Sequence, residues 1–109
     1  MGDDDLTLVD VRTDAEYDGT EGYPCDPRQG HIPGSRHVEM AQLMEKSPEQ
    51  VREIVGLPHG AEIVAYCHSG SRSGIVAIVL RSAGYNARNY VGSWHEWSRQ
   101  DDLPAETGV

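Results

Sequence analysis

Short β-prone apolar segments alternate with helical segments along this chain, and this alternation constrains its fold more than any other feature. Buried strands are predicted at residues 6–11, 63–66 and 87–91, where apolar and β-branched residues are concentrated. A capping box at Ser47, Pro48 and Gln50, followed by Gly56, predicts a helix over residues 48–55. Two more helices are predicted at residues 75–83, which are apolar on nearly all sides, and 94–99. Strands that alternate with helices form parallel α/β sheets, whose sites lie at the carboxyl ends of the strands.

The length and the amino terminus set further limits on the class of protein. A chain of 109 residues is one domain, and its longest apolar run, residues 75–80, is far below the roughly 18 residues that cross a bilayer. The first residues lack the basic and apolar regions of a signal peptide, so we expect a cytoplasmic protein with no membrane partner. Two cysteines and dispersed histidines show no ligand spacing, so we expect no disulfide framework, metal or organic cofactor.

The net charge of -9 argues against nucleic acid as a partner, because its phosphates would be repelled. Nine acidic residues lie within residues 1–26, however, and residues 27–99 carry eight basic residues against six acidic ones. A small anionic substrate therefore remains compatible with the middle of the chain.

The segment that follows the second predicted strand carries the chemistry. Cys67 stands at a strand–loop–helix junction, and small residues after it allow the backbone to curl so that amide groups converge beside the thiol. The start of the next helix and Arg72 add positive charge, and such surroundings lower a cysteine pKa to about 3.5 to 7.5. A buried structural cysteine is the alternative, since free cysteines are often buried. The donor-rich loop and the strand-end position favour a nucleophile.

These residues resemble the rhodanese (sulfurtransferase) family. The loop matches the family pattern Cys-x-x-Gly-x-Arg-Ser, and three more family signatures stand in order, at residues 10–17, 30–35 and 92–97. The last is similar to the closing segment of the catalytic carboxyl-terminal domain of two-domain sulfurtransferases. The resemblance implies one rhodanese-like domain over residues 1–109, with a three-layer α/β fold in which helices cover both faces of a mostly parallel, twisted sheet.

The resemblance also implies thiosulfate sulfurtransferase activity. Cys67 would attack the outer sulfur of thiosulfate, carry that sulfur as a persulfide, and pass it to cyanide or a thiol. The groups expected to bind the donor and the persulfide are His68, Ser69, Gly70, Ser71, Arg72 and Ser73 in the loop, and Arg28. Two other functions stay open: a non-enzymatic binding or sulfur-relay module, and a cysteine-dependent phosphatase or arsenate reductase. Phosphatase activity is disfavoured because phosphatases of this type need five residues between Cys and Arg, and here there are four.

Supporting roles are expected for three residues near strand ends. Arg12 and Glu16 are four residues apart, which favours a structural ion pair. Asp10 either accepts amide hydrogen bonds from the cysteine loop or caps the next turn. His31 is expected to bond the backbone of its own turn rather than to transfer protons.

The sequence also departs from the family pattern. Asp18 stands where two-domain members carry an arginine for the donor, which disfavours a dianion there. The family's first strand and helix would precede Leu6, where five residues stand. A second rhodanese domain or a homodimer partner is therefore an expected partner that could complete the sheet.

Overall fold

The fold is an α/β sandwich built on one parallel sheet. The computed structural model describes residues 6–107. Its strands are β1 (Leu6–Asp10), β2 (Arg36–His37), β3 (Glu62–Tyr66) and β4 (Asn86–Asn89), in the order β2-β1-β3-β4. Asp10 lies opposite Tyr66, so β1 and β3 end level with each other. The residues that follow these two strands, Val11 and Cys67, are therefore neighbours at the same edge of the sheet.

Within residues 6–107, four helices connect the strands and a fifth follows β4. They are α1 (Asp14–Asp18), α2 (Met40–Leu43), α3 (Pro48–Val55), α4 (Ser71–Ser82) and α5 (Ser93–Trp97). The predicted capping box of α3 is present, with Ser47 as N-cap and Gly56 as a left-handed C-cap. The two-residue strand β2 and the single turn α2 were not predicted, because each is too short to show a period in the sequence.

Helix α4 differs from its prediction in two respects. It begins at Ser71 rather than at residue 75, because Gly70 takes the left-handed conformation at its N-cap and the polar residues after it already form the first turn. It is also not buried on all sides, since Ile75 and Ile78 are 47% and 61% exposed. The loop predicted after Cys67 is thus shorter, and Arg72 and Ser73 belong to the helix.

The two faces of the sheet bury different clusters. One face packs against α2, α3 and α4 through Val9, Ile63, Ala65 and Ala87, and this core also includes Cys67. On the other face, Tyr66 and Ile32 pack around Trp94 of α5. The strand alternation follows the expected period of two, which places Tyr66 and Cys67 on opposite faces.

No helix within residues 6–107 has both the length and the apolar character that crossing a membrane requires.

Candidate active site

The backbone of Cys67 is held at the carboxyl end of β3 by two hydrogen bonds with the start of α5. Its amide donates to Ser93 Oγ at 3.0 Å, and its carbonyl accepts from the amide of Trp94 at 2.9 Å. Gly70 turns the chain into α4 at φ +94°, where a Cβ would lie 2.7 Å from the carbonyl oxygen of Val91. Only glycine fits this position without displacing the backbone. The loop is thereby fixed in the curled conformation that the sequence predicted.

The donors of this loop converge on the sulfur atom. The amide of Gly70 donates to Cys67 Sγ at 3.1 Å, and the Ser73 hydroxyl lies 3.4 Å from it. Burial raises the pKa of Cys67, but hydrogen bonds from the Ser73 hydroxyl and from the amides of Ser73, Gly70 and Ser69 outweigh this effect. The pKa of the thiol therefore lies below its usual value, which favours the thiolate.

Ser73 has a second partner that competes for its single proton. Its Oγ lies 2.6 Å from Asn89 Oδ1, and Asn89 Nδ2 donates to the carbonyl of Gly70 at 3.0 Å, which fixes the orientation of the amide. A hydroxyl donates to one acceptor at a time. We expect the proton to point to Asn89 beside a neutral thiol and to turn to Cys67 once the sulfur is charged.

Cys67 is only 1% exposed, so the sulfur is shielded from bulk water. A cavity of about 260 Å³ opens nearby, lined by Thr13, Glu16, Glu21, Gly22, Tyr23 and Pro24. The ring of Tyr23 stacks on His68, with ring centroids 3.8 Å apart. The segment before residue 25 therefore packs against the cysteine loop.

Arg72, expected to attract the donor, is paired with Glu16. Its Nη1 and Nη2 donate to the two Glu16 carboxylate oxygens at 2.8 and 3.1 Å. Burial raises the pKa of Glu16, but the hydrogen bonds and charge of Arg72, together with Thr13, outweigh it and lower this pKa to about 2. Glu16 therefore partly neutralises the positive charge that Arg72 exerts on Cys67. The ion pair also joins α1 to the first turn of α4.

The predicted ion pair between Arg12 and Glu16 was wrong. Arg12 instead forms a fork with Asp10, with Nη2 to Oδ2 at 2.7 Å, and donates to the carbonyl of Gly30 at 2.6 Å. Both side chains are fully buried, and the guanidinium lies over the Trp94 ring. Asp10 thus orients Arg12, rather than accepting amides of the cysteine loop, and Thr13 caps α1.

The structure gives Arg28 a role other than donor binding. Its Nε, Nη1 and Nη2 atoms donate to the backbone carbonyls of Trp97, Ser98, Gln100 and Leu103. The indole of Trp94 donates in turn to the carbonyl of Arg28. Four of the five N–H groups of the Arg28 guanidinium are thus used in clamping the end of α5 and the turn after it.

His31 bonds a backbone carbonyl, although not one of its own turn. Its Nδ1 lies 2.7 Å from the carbonyl of Tyr17, and its ring stacks on the ring of Tyr17 with centroids 3.7 Å apart. The expected local contact was wrong because the loop before residue 35 packs back onto α1. The role of His31 is to join these two segments.

The side chains of His68 and Ser71 make no hydrogen bond to the sulfur within residues 6–107. His68 Nε2 lies 2.9 Å from Asp26 Oδ2, and Ser71 is an exposed residue in the first turn of α4. Sequence reasoning missed Ser93, whose hydroxyl accepts from the amide of Cys67 and donates to Tyr90 O at 2.7 Å. Its φ of +52° is unusual for a residue other than glycine, and no local pattern signals it.

Comparison with known proteins gives one family and several relatives. Residues 1–100 match the family described as Rhodanese-like domain. A thiosulfate sulfurtransferase of Pseudomonas aeruginosa is 30% identical over 115 residues, which cover 97% of this chain and 42% of the relative. The chain thus spans less than half the length of this curated relative.

Solved structures share the fold and, in part, the sequence. The crystal structure of a probable thiosulfate sulfurtransferase superposes with a TM-score of 0.83 at 48% identity, over 93% of this chain and 42% of that one. A structure of EanB with a cysteine persulfide and ergothioneine, in a tetrahedral intermediate state, gives a TM-score of 0.88 at 26% identity, over 99% of this chain and 30% of that one.

Proposed function

Since this chain belongs to the rhodanese-like domain family, we propose that it is a sulfurtransferase that carries sulfur as a persulfide on Cys67. The observation that carries the proposal is the convergence of the Gly70 amide and the Ser73 hydroxyl on one sulfur atom. Donors fixed around an atom stabilise negative charge on it, as an oxyanion hole does in acyl transfer. The same donors serve the thiolate and the terminal sulfur of a persulfide.

The first half-reaction uses thiosulfate as the proposed donor. The Cys67 thiolate attacks the outer sulfur of thiosulfate, a new S–S bond forms to Cys67, and the S–S bond of thiosulfate breaks. Its electron pair leaves with sulfite. The developing charge on the transferred sulfur is stabilised by the loop amides and by the remaining positive charge of Arg72.

The second half-reaction returns the cysteine to its starting state. Cyanide or a thiolate attacks the outer sulfur of the persulfide, and the bond to Cys67 breaks, leaving the thiolate in the site. The products are thiocyanate or a persulfide of the acceptor. A cytoplasmic location, where thiols are kept reduced, is part of this proposal, as is the absence of nucleic acid and membrane partners.

A sulfur-relay module is the second candidate, and the surroundings of the site favour it over the phosphatase. The cavity beside the site is lined by the carboxylates of Glu16 and Glu21, which disfavour a free dianion there. A donor that presents its sulfur on another protein would bring less charge. Phosphatase chemistry is disfavoured because Arg72 clamps Glu16 rather than standing free to hold phosphate.

The test is to incubate the protein with thiosulfate and measure its intact mass. The proposal expects one added sulfur that cyanide removes, and no addition in Cys67→Ser. Unmodified protein with thiosulfate but sulfur uptake from a protein persulfide would select the relay module. Turnover of an aryl phosphate without sulfur uptake would overturn both.

Arg72 supplies a separate prediction for this function. Arg72→Ala is expected to slow persulfide formation, because it removes positive charge near the reacting sulfur. The rate of mass increase with thiosulfate measures the effect, and Arg81→Ala, at the opposite end of α4, is the matched control. An unchanged rate in the folded variant would remove Arg72 from the mechanism.

A further inference from the structure

Four metal-ligating side chains meet outside the site of sulfur transfer. Cys25, Asp26, His68 and His95 each offer one donor atom, and these atoms all lie within 4.8 Å of one another. They come from three segments: the loop after α1, the residue after Cys67, and α5. The sequence predicted no metal site because these residues are separated by up to 70 positions, but the fold brings them together.

Two buried atoms of this cluster have no hydrogen-bond partner among the described residues. They are Asp26 Oδ2 and His68 Nε2. The two atoms lie 2.9 Å apart without hydrogen-bond geometry, and the Asp26 side chain is 0% exposed. Buried polar atoms are almost always paired, and an ion is one of the few groups that satisfies such a pair.

Two separations within the cluster agree with a tetrahedral zinc site. Zinc bonds of about 2.0 to 2.3 Å at the tetrahedral angle place ligand atoms about 3.3 to 3.8 Å apart. Asp26 Oδ1 lies 3.3 Å from His95 Nδ1 and 3.8 Å from Cys25 Sγ. Asp26 Oδ2 lies 2.9 Å from His68 Nε2, and this separation must lengthen when an ion enters. A thiolate, a carboxylate and two imidazoles are also the ligand types that zinc takes in proteins.

Arg99 competes with a metal ion for this cluster. Its Nη1 donates to Asp26 Oδ1 at 2.9 Å and lies 3.3 Å from His95 Nδ1. The side chain of Arg99 is 37% exposed, so it can turn into solvent when a dication enters. When Arg99 turns away, Asp26 Oδ1, the oxygen that faces His95 and Cys25, becomes available to the ion.

We propose that Cys25, Asp26, His68 and His95 form a zinc site beside the catalytic loop. Binding converts the Cys25 thiol to a thiolate and releases its proton to solvent. The ion would join the loop after α1 to the cysteine loop and to α5, and so hold the segment with Tyr23 against His68. This site is independent of the proposed persulfide chemistry, since Cys67 is not among its ligands.

The experiment uses Co²⁺ as a probe, in a Cys67→Ser background so that the second thiol cannot contribute. We expect binding of one ion per chain, with the visible bands of tetrahedral cobalt and a near-ultraviolet thiolate-to-cobalt band, displaced by Zn²⁺. Cys25→Ser is expected to abolish the thiolate band, and His95→Gln to weaken binding at least tenfold. Both side chains are exposed, so both variants should fold, which circular dichroism checks.

The second readout is thermal unfolding, which needs no enzymatic activity. Zn²⁺ at about a hundred times its dissociation constant should raise the unfolding temperature on the order of 10 °C, and neither Cys25→Ser nor His95→Gln should show the full shift. His59→Gln, at an exposed histidine elsewhere, is the matched control.

Two results would overturn the proposal. One is cobalt binding without a thiolate band, or equal binding in Cys25→Ser and His95→Gln. The other is loss of binding in His37→Gln, which would place the ion at the smaller cluster of Asp14, His37 and Glu39.

Discussion

Replacing Glu16 by glutamine separates the stability of this domain from the reactivity of its cysteine. The Glu16 carboxylate accepts two hydrogen bonds from Arg72 and two from Thr13. Glutamine keeps the shape and one acceptor but removes the charge. The variant therefore loses the ion pair that joins α1 to α4, and leaves the positive charge of Arg72 without its partner.

The size of the effect follows from the pKa of Glu16. A fall from 4.5 to about 2 corresponds to about 3 kcal/mol in favour of folding at 1.36 kcal/mol per pKa unit. Because the Arg72 side chain is 25% exposed and salt screens the pair, we expect a loss of about 2 kcal/mol for Glu16→Gln at pH 7.

The pH dependence gives the sign of the contribution. The pKa of Glu16 is lower in the folded state, so its contribution is complete above the unfolded value of 4.5 and is lost as the pH falls towards about 2. The difference in free energy of unfolding between wild type and Glu16→Gln should therefore be largest near pH 6 and shrink between pH 4.5 and pH 2.

Urea denaturation at several pH values measures this difference, with Glu21→Gln as the control. Glu21 is an exposed acid that lines the same cavity. Persulfide formation by thiosulfate, followed by mass, should become faster in Glu16→Gln although the protein is less stable. A stability difference that is constant from pH 6 to pH 3 would refute the ionic argument, and a slower sulfur uptake would refute the role given to the charge of Arg72.

Three other substitutions test the site and its frame. Ser73→Ala, made in a Cys25→Ser background, should slow alkylation of Cys67 at neutral pH by about threefold to tenfold, because the thiolate loses one hydrogen bond. An unchanged alkylation rate would show that the Ser73 hydroxyl bonds only Asn89. Gly70→Ala should cost more than about 1 to 3 kcal/mol in urea denaturation, since a Cβ would lie 2.7 Å from a carbonyl oxygen at φ +94°. Gly34→Ala is the control, because Gly34 has a similar φ of +84° but no atom near its Cβ position. Equal losses of stability in the two variants would show that the clash at residue 70 adds nothing to the backbone strain. Arg28→Ala should lower the free energy of unfolding but leave the KM for thiosulfate unchanged. A raised KM in the folded variant would show that Arg28 binds the donor.

The sequence was informative where chemistry is local. The position of Cys67 after a strand and the capping box of α3 both depend on neighbours within a few residues. The partner of Glu16 could not be predicted in this way. A spacing of four favoured Arg12, but Asp10 holds Arg12 from the adjacent strand end, and Arg72 arrives from a helix 56 residues away.

Long-range contacts also explain why Arg28 was misread. It was proposed as a donor-binding residue because it stands where two-domain sulfurtransferases carry an arginine for the anionic donor. Its partners are backbone carbonyls at the end of α5, which carry no side-chain signature. The cluster of Cys25, Asp26, His68 and His95 was missed for the same reason, since its spacing becomes meaningful only after the sheet is formed.

The clamp by Arg28 has a consequence for folding during synthesis. Its hydrogen bonds to the backbone span 69 to 75 residues, so the loop that carries it gains these contacts only when residue 103 is available. We expect this loop to become ordered last, once residue 103 of the nascent chain has emerged from the ribosome. Limited proteolysis of ribosome-stalled chains should cut near residue 24 until then, and protection at shorter lengths would exclude this order.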